Sequence, residues 1–263
     1  MQLNIQKSVI EIGLDKPIRL LHITDAHMII DKAEHVDPFE MALAYAKEKD
    51  MFVLCTGDNF HGVSEANVAY AKQVMADKNN IFLPGNHDFS RYPDNLGLDN
   101  VESLAVYPKE WMGCYKQNLY FHSQIVGGVN FVTLQNMYYS ITYGQIQMLQ
   151  TEALKGYPIV LCMHVPLFTS EKAEEMMATW APCGYMIAPP EAYYSRYDER
   201  RRKEQIATKE TLDAVAYIQN EPTIQAIIAG HIHENFDGFA DCGKRQICTK
   251  PIKEGFAREI TIR

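Results

Sequence analysis

No stretch of this chain approaches the roughly 20 consecutive apolar residues that a bilayer-spanning helix needs; its most apolar runs are strand-length and flanked by Lys, Asp or Gly. Residues 1–12 hold a single Lys and alternate apolar with polar side chains, so they do not read as a signal peptide. Positive charge is also short: 25 Lys and Arg stand against 33 Asp and Glu, a net charge of −8, which argues against a general grip on nucleic acid or on an anionic membrane. Cys55, Cys114, Cys162, Cys183, Cys242 and Cys248 include no C-x-x-C pair, and a chain of 263 residues is too large to need staples, so they read as reduced thiols. Together these absences predict a cytoplasmic protein with no membrane partner. Repeats, low-complexity tracts and Gly/Ser linkers are lacking too, which predicts one domain over 1–263.

What is present is an ordinary globular composition, 47% hydrophobic and 22% charged. Short β-branched runs alternate with helical-period segments, the pattern of an α/β fold. Strands are expected over 18–24, 51–56, 80–83, 119–126, 131–134, 158–163 and 223–229, and helices over 38–49, 64–77, 101–112, 143–155 and 208–219. Pro38 suits a first helical turn, while Ser64 and Thr208 suit caps. The tail from Glu234 looks like closing antiparallel strands. Between Phe168 and Arg202 the pattern loses its period and gains Met176, Met177, Trp180, Tyr193, Tyr194, Arg196, Tyr197, Arg200, Arg201 and Arg202. This is expected to be an excursion from the scaffold, a lid or wall over a site. Trp111 and Met112 read as core.

The strand ends carry the chemistry. After 18–24 come Asp25-Ala26-His27; after 51–56, Gly57-Asp58-Asn59; after 80–83, Gly85-Asn86-His87-Asp88; after 158–163, His164; after 223–229, Gly230-His231-Ile232-His233. Singly, such residues are turn formers or structural histidines; five coincidences at the edge where open α/β sheets place their sites are not. In extended chain residues i and i+2 point the same way, so Asp25 with His27, and His231 with His233, are expected to share one small volume. Two carboxylates, one amide oxygen and four imidazoles suit Mn²⁺, Fe²⁺/Fe³⁺ or Zn²⁺, and two ions about 3.5–4 Å apart could share the set.

These blocks, D-x-H, G-D, G-N-H-D, H and G-H-x-H in that order, resemble the signature of the calcineurin-like metallophosphoesterase family. The resemblance covers residues 25–233 and implies a two-sheet α/β/β/α sandwich with the metal site at the strand ends. It also implies Asp25, His27 and His233 on a first metal, Asn86, His164 and His231 on a second, and Asp58 bridging both. His87 would stay off the metals and act on the phosphate, oriented by Asp88. A metal-bridging hydroxide would attack phosphorus in line, on a small phosphomonoester or phosphodiester. His61 closes a G-D-x-F-H string found in the repair-nuclease branch, so a nuclease is an alternative, opposed by the net charge; a non-catalytic scaffold is another, opposed by the complete ligand set. Asn59, His61, Tyr194 and Arg196 are the candidate substrate contacts; within the excursion Tyr193, Tyr194 and Tyr197 offer rings to stack on a base, and Arg196, Arg200, Arg201 and Arg202 offer guanidinium groups to a second phosphate. His22, His35 and His122 lie outside the blocks. The oligomeric state is left open.

Overall fold

The computed structural model describes residues 2–89, 111, 113–115, 117–180 and 183–263. In chain order its elements are β1 (Asn4–Ile10), β2 (Ile18–Ile23), α1 (Ala33–Glu48), β3 (Phe52–Cys55), α2 (Glu65–Val74), β4 (Ile81–Phe82), β5 (Phe121–Val126), β6 (Val129–Leu134), α3 (Tyr143–Ala153), β7 (Ile159–Cys162), α4 (Ser170–Trp180), α5 (Glu199–Gln205), α6 (Lys209–Asn220), β8 (Ile224–Ala229), β9 (Phe236–Phe239), β10 (Arg245–Cys248) and β11 (Phe256–Ile262). One sheet runs β1-β11-β2-β3-β4 and the other β5-β6-β7-β8-β10-β9. Strands β2, β3 and β4 are mutually parallel, as are β6, β7 and β8. Every residue of β6 and β7 is buried, which explains why β7 reads as an unbroken apolar run without alternation and why Asn130 and Thr133 of β6 lie in the interior.

Three cores stack in sequence. Leu20, Leu54 and Ile260 of the first sheet meet Phe131, Val160 and Ile228 of the second. Outside the first sheet Phe39, Ala42 and Ala46 of α1 and Ala71 of α2 cover Leu21, Val53 and Phe82. Outside the second, Ile146 and Leu149 of α3 and Ala214 and Ile218 of α6 cover Val132, Leu161 and Ile227. The order helix, sheet, sheet, helix is the expected α/β/β/α sandwich.

Caps set the helix starts as expected at Ser64 and Thr208, whose side chains accept from the backbone N–H of Asn67 and Thr211. Thr142 and Gln145 add a reciprocal capping box to α3. Helix α1 departs from expectation: it starts at Ala33 with Pro38 inside it. Buried Val36, one turn before Phe39, extends the apolar face backward and compensates the one hydrogen bond that Pro38 removes. The tail is antiparallel in part. Strand β9 pairs antiparallel with β10 and β11 with β2, but β10 lies parallel to β8 and β11 to β1, a strand that sequence left unassigned. The 168–202 segment is largely helical, carrying α4, a 3₁₀ turn over Glu191–Arg196 and the start of α5. The expected 101–112 helix lies, apart from Trp111, outside the described residues, as does Met112. Trp111 is core as expected, stacked on Phe60 and donating from its indole to the Asp88 carbonyl. All six cysteines are free. No helix among the described residues is long and apolar enough to cross a membrane.

Candidate metal centre and active site

Because β2, β3, β4, β7 and β8 run with their C-terminal ends at one edge, the five motif loops emerge together. Backbone hydrogen bonds tie them: Asp25 N–H to the Gly57 carbonyl at 3.0 Å, His27 N–H to the Asp58 carbonyl at 2.8 Å, and Gly230 N–H to the His164 carbonyl at 2.9 Å. The chain is not extended here. Asp25, His27, Asp58, His231 and His233 all hold left-handed φ values of 45° to 68°. Convergence of Asp25 with His27 and of His231 with His233 is therefore achieved by tight left-handed turns, not by the pleat that the i, i+2 spacing suggests. Non-glycine residues in this region cost about 1–3 kcal/mol each, and such strain concentrates at functional sites.

Three glycines allow the loops to touch. A Cβ on Gly85 would lie 2.2 Å from Asp58 Oδ1, one on Gly57 2.6 Å from His164 Nδ1, and one on Gly230 1.9 Å from Thr24 Oγ1. The two carboxylates are used alike. Asp25 Oδ2 accepts from Thr24 Oγ1 at 2.7 Å and from His231 N–H at 3.0 Å, leaving Oδ1 3.2 Å from His233 Nε2 and 3.7 Å from His27 Nε2. Asp58 Oδ1 accepts from His87 N–H at 2.8 Å, leaving Oδ2 3.4 Å from His164 Nε2 and 3.7 Å from His27 Nε2. Asn86 Oδ1 and His231 Nδ1 each lie 3.2 Å from His164 Nε2. Asp25, His27 and His233 thus form one group with metal-ligand spacing and Asp58, His164 and His231 a second, with Asp58 Oδ2 facing both.

The electrostatics suit a cation. Burial opposes charge on Asp25 and Asp58, yet the surrounding imidazoles, chiefly His233 for the first and His164 for the second, hold both carboxyls below the usual carboxylate range. Burial lowers His27 and His231 to about 3, so both rings are neutral and offer a bare nitrogen. Burial also opposes a proton on His164, but the Asp58 carboxylate outweighs it and raises this ring to about 9. His233 is raised in the same way by Asp25 against its own burial. Two anionic oxygens thus gather protons onto the two imidazoles facing them, a role that divalent ions would take over. Oxygen and imidazole donors without thiolate fit Mn²⁺, Fe or Zn²⁺ chemistry, and the glycine cradles leave no side chain between the donors.

Outer contacts orient the rings. His164 Nδ1 lies 2.7 Å from the Thr56 carbonyl, so this nitrogen carries a proton and Nε2 is turned inward. His231 Nε2 lies 2.8 Å from the Tyr139 hydroxyl, turning Nδ1 inward. Asn136 clamps the His164 loop by bonding both N–H and carbonyl of Val165. Sequence reasoning missed Tyr139 and Asn136; the available signal was that they follow β6, whose end lies at the same edge. His22 is structural, bridging Thr56 and Thr249 hydroxyls at 2.9 and 2.8 Å, and burial lowers it to about 3.

His87 lies edge-on to His27, ring centroids 4.5 Å apart, and is stacked on His61 at 5.3 Å. Asp88 is fully buried and differs from the expected role of steering the His87 ring: its carboxylate accepts from the N–H groups of Gly85, Asn59 and Phe60 and from the Asn59 amide, welding the Asp58 and Asn86 loops together. Burial and the Asp58 charge raise it to about 7. Asn59 belongs to this weld, since its amide also donates to the Leu83 carbonyl in the interior, so it does not face substrate space.

Above the two groups opens a cavity of about 730 Å³ whose described lining includes Asp58, Asn86, His87, His231 and His233. Met176 and Trp180 of α4, Tyr185, and Arg200, Arg201, Lys203 and Glu204 of α5 complete the described lining, with Met137, Tyr138, Tyr139 and Ile232. Tyr194 and Arg196 are not among the lining residues. Arg196 is bound bidentately by Glu174 at 2.6 and 2.9 Å on the exposed side of α4. The insertion reaches the cavity through Met176, Trp180, Tyr185 and α5, so that of the residues singled out from sequence Met176, Trp180, Arg200 and Arg201 join the lining while Tyr194 and Arg196 do not.

Residues 18–235 match the family model described as calcineurin-like phosphoesterase. Among solved structures, a dimetal phosphatase from Danio rerio aligns over 90% of this chain and 88% of its own, at 12% identity and TM-score 0.51. A 5'-nucleotidase from Staphylococcus aureus, so described with the qualifier putative, aligns over 90% of this chain and 49% of its own, at 12% identity and TM-score 0.45. No curated protein matches the sequence.

Proposed function

The chain belongs to the calcineurin-like phosphoesterase family and is a metal-dependent phosphoric ester hydrolase, and from that premise we propose that it cleaves a small phosphorylated organic molecule at a dinuclear centre held by seven side chains. Asp25, His27 and His233 would hold one ion, Asn86, His164 and His231 the other, and Asp58 both. The observation that carries this reading is Asp58 Oδ2, which faces His27 and His164 at 3.7 and 3.4 Å while Oδ1 is tied to the His87 N–H. Mn²⁺, Fe²⁺/Fe³⁺ or Zn²⁺ fits the donors, and such ions supply Lewis acidity and water activated near neutral pH.

The chain's own residues account for the remainder. His87 lines the cavity beside the Asp58 group and is positioned to give a proton to the leaving oxygen. Thr56 and Tyr139 hold the His164 and His231 rings in one orientation. The wall of α4 and α5 bounds the space for the organic group, which supports reading 1–263 as one domain with a substrate wall at 168–202. A bounded cavity of about 730 Å³ lined by Trp180, Tyr138, Tyr139 and Tyr185 suits a small organic phosphate.

Elemental analysis of protein purified without chelator, followed by a panel of monoesters, cyclic nucleotides and linear diesters, tests the reading. Two metal equivalents and hydrolysis abolished by chelation are expected. Undiminished hydrolysis by metal-free protein would refute it.

A further inference from the structure

The cavity carries a second set of charged side chains. Helix α5 brings Arg200, Arg201, Lys203 and Glu204 to the same lining as the proposed ligands Asp58, Asn86, His231 and His233. Arg200 Nε and Arg201 Nη1 both bond Glu204, at 3.0 and 2.7 Å, and Lys203 Nζ pairs with Glu199 at 2.8 Å. Arg201 is also fixed in place: its guanidinium lies 4.9 Å from the Tyr185 ring centroid, and its side chain is only 23% exposed. Tyr185 in turn stands 6.3 Å, ring to ring, from His231. One aromatic ring therefore spans the distance between a fixed guanidinium and the proposed metal ligands. The lining also carries Trp180, Tyr138 and Met137, with Trp180 56% exposed.

Resting on the phosphoesterase reading, we infer that Arg201 is a specificity-determining residue that binds a second anionic group of the substrate. The preferred substrate is then a phosphoester with a flat, apolar body that carries this second anion about one ring's width from the phosphate being cleaved. A planar guanidinium already anchored on one side by Glu204 keeps further N–H groups for a carboxylate or phosphate, with little left to lose in side-chain freedom. Trp180, exposed at the lining, offers a face against which an aromatic body stacks.

The test uses the full chain loaded with Mn²⁺ and two esters, 3-(4-phosphonooxyphenyl)propanoate and its primary amide. Their leaving phenols are nearly equal, so the pair differs in the remote charge alone. The acid is expected to exceed the amide in kcat/KM by about tenfold to a hundredfold, the range of a hydrogen bond to a charged group. Arg201→Gln should bring that ratio toward one, and Arg201→Lys should restore part of it, with metal content measured on each variant. Calorimetric binding of the same two compounds repeats the comparison without turnover. Equal kcat/KM and equal binding in the unaltered protein would overturn the inference and leave the phosphoesterase reading standing, as would a ratio that survives Arg201→Gln. Hydrolysis of neither ester with tighter binding of the acid would support the anion site and count against that reading.

Discussion

His87 differs from the seven proposed ligands in what its backbone and side chain do. Its N–H fixes Asp58 Oδ1, while its ring lies in the cavity lining, stacked on His61. The two roles are separable by mutation because the backbone bond survives loss of the ring. His87→Ala should retain both metals, measured by elemental analysis, and lower turnover by about 10²–10⁴-fold, the usual contribution of a positioned proton donor. The loss should shrink for nitrophenyl esters, whose leaving oxygen scarcely needs a proton. Loss of metal from this variant would instead make the ring a ligand, alongside His27 and His61, which share a group with metal-ligand spacing.

At the scale of elements, the site is assembled by loops whose strands tolerate little adjustment. Gly230 follows β8 directly, and a Cβ there would lie 1.9 Å from Thr24 Oγ1 and 2.9 Å from Asp25 Oδ2. Gly230→Ala should therefore push the His231 and Asp25 loops apart, lowering metal stoichiometry and costing about 1–3 kcal/mol of stability. Gly243, with φ +82° and nothing within 4 Å of an added Cβ, is the control: Gly243→Ala adds backbone strain of about 1–2 kcal/mol and should leave metal content untouched. Titration with denaturant and elemental analysis separate the two. The strands and ligand blocks were legible in sequence because buried β-branched runs end abruptly in Gly, Asp and His, and both signals are local. Much of the remainder depends on tertiary placement. Strand β1 alternates visibly but finds its place only through β11, a residue distance that no local pattern encodes. Helix α4 buries only Ala173 and Met176 and α5 only Gln205, so the core pins little of either. In sequence Asn59 looks like a substrate contact and Asp88 like the residue that orients His87, and only the packed loops reveal the two as an interior weld.

Across the whole molecule, the proposed ligands run from Asp25 to His233 and meet only when both sheets are packed, so metal binding and folding are linked. An ion held by the folded chain alone, at a hundred times its dissociation constant, stabilises by about 2.7 kcal/mol per site. For a chain of this size that corresponds to a rise in Tm of roughly 5–10 °C. The pH dependence of this rise has a definite sign. In metal-free protein His164 is raised from its ordinary value near 6.5 to about 9 by Asp58, so it adds stability that is complete below about pH 6.5 and fades as pH climbs through about 9. A metal at Asp58 and His164 must displace that same proton, so its affinity grows across the window in which the metal-free protein weakens. The gap in Tm between Mn²⁺-loaded and chelator-treated protein should accordingly widen from pH 6.5 to pH 9, with proton release on loading visible to an indicator dye at pH 7.5. A gap that is constant across this range, with no proton released, would mean that the ion is not bound through the ring of His164.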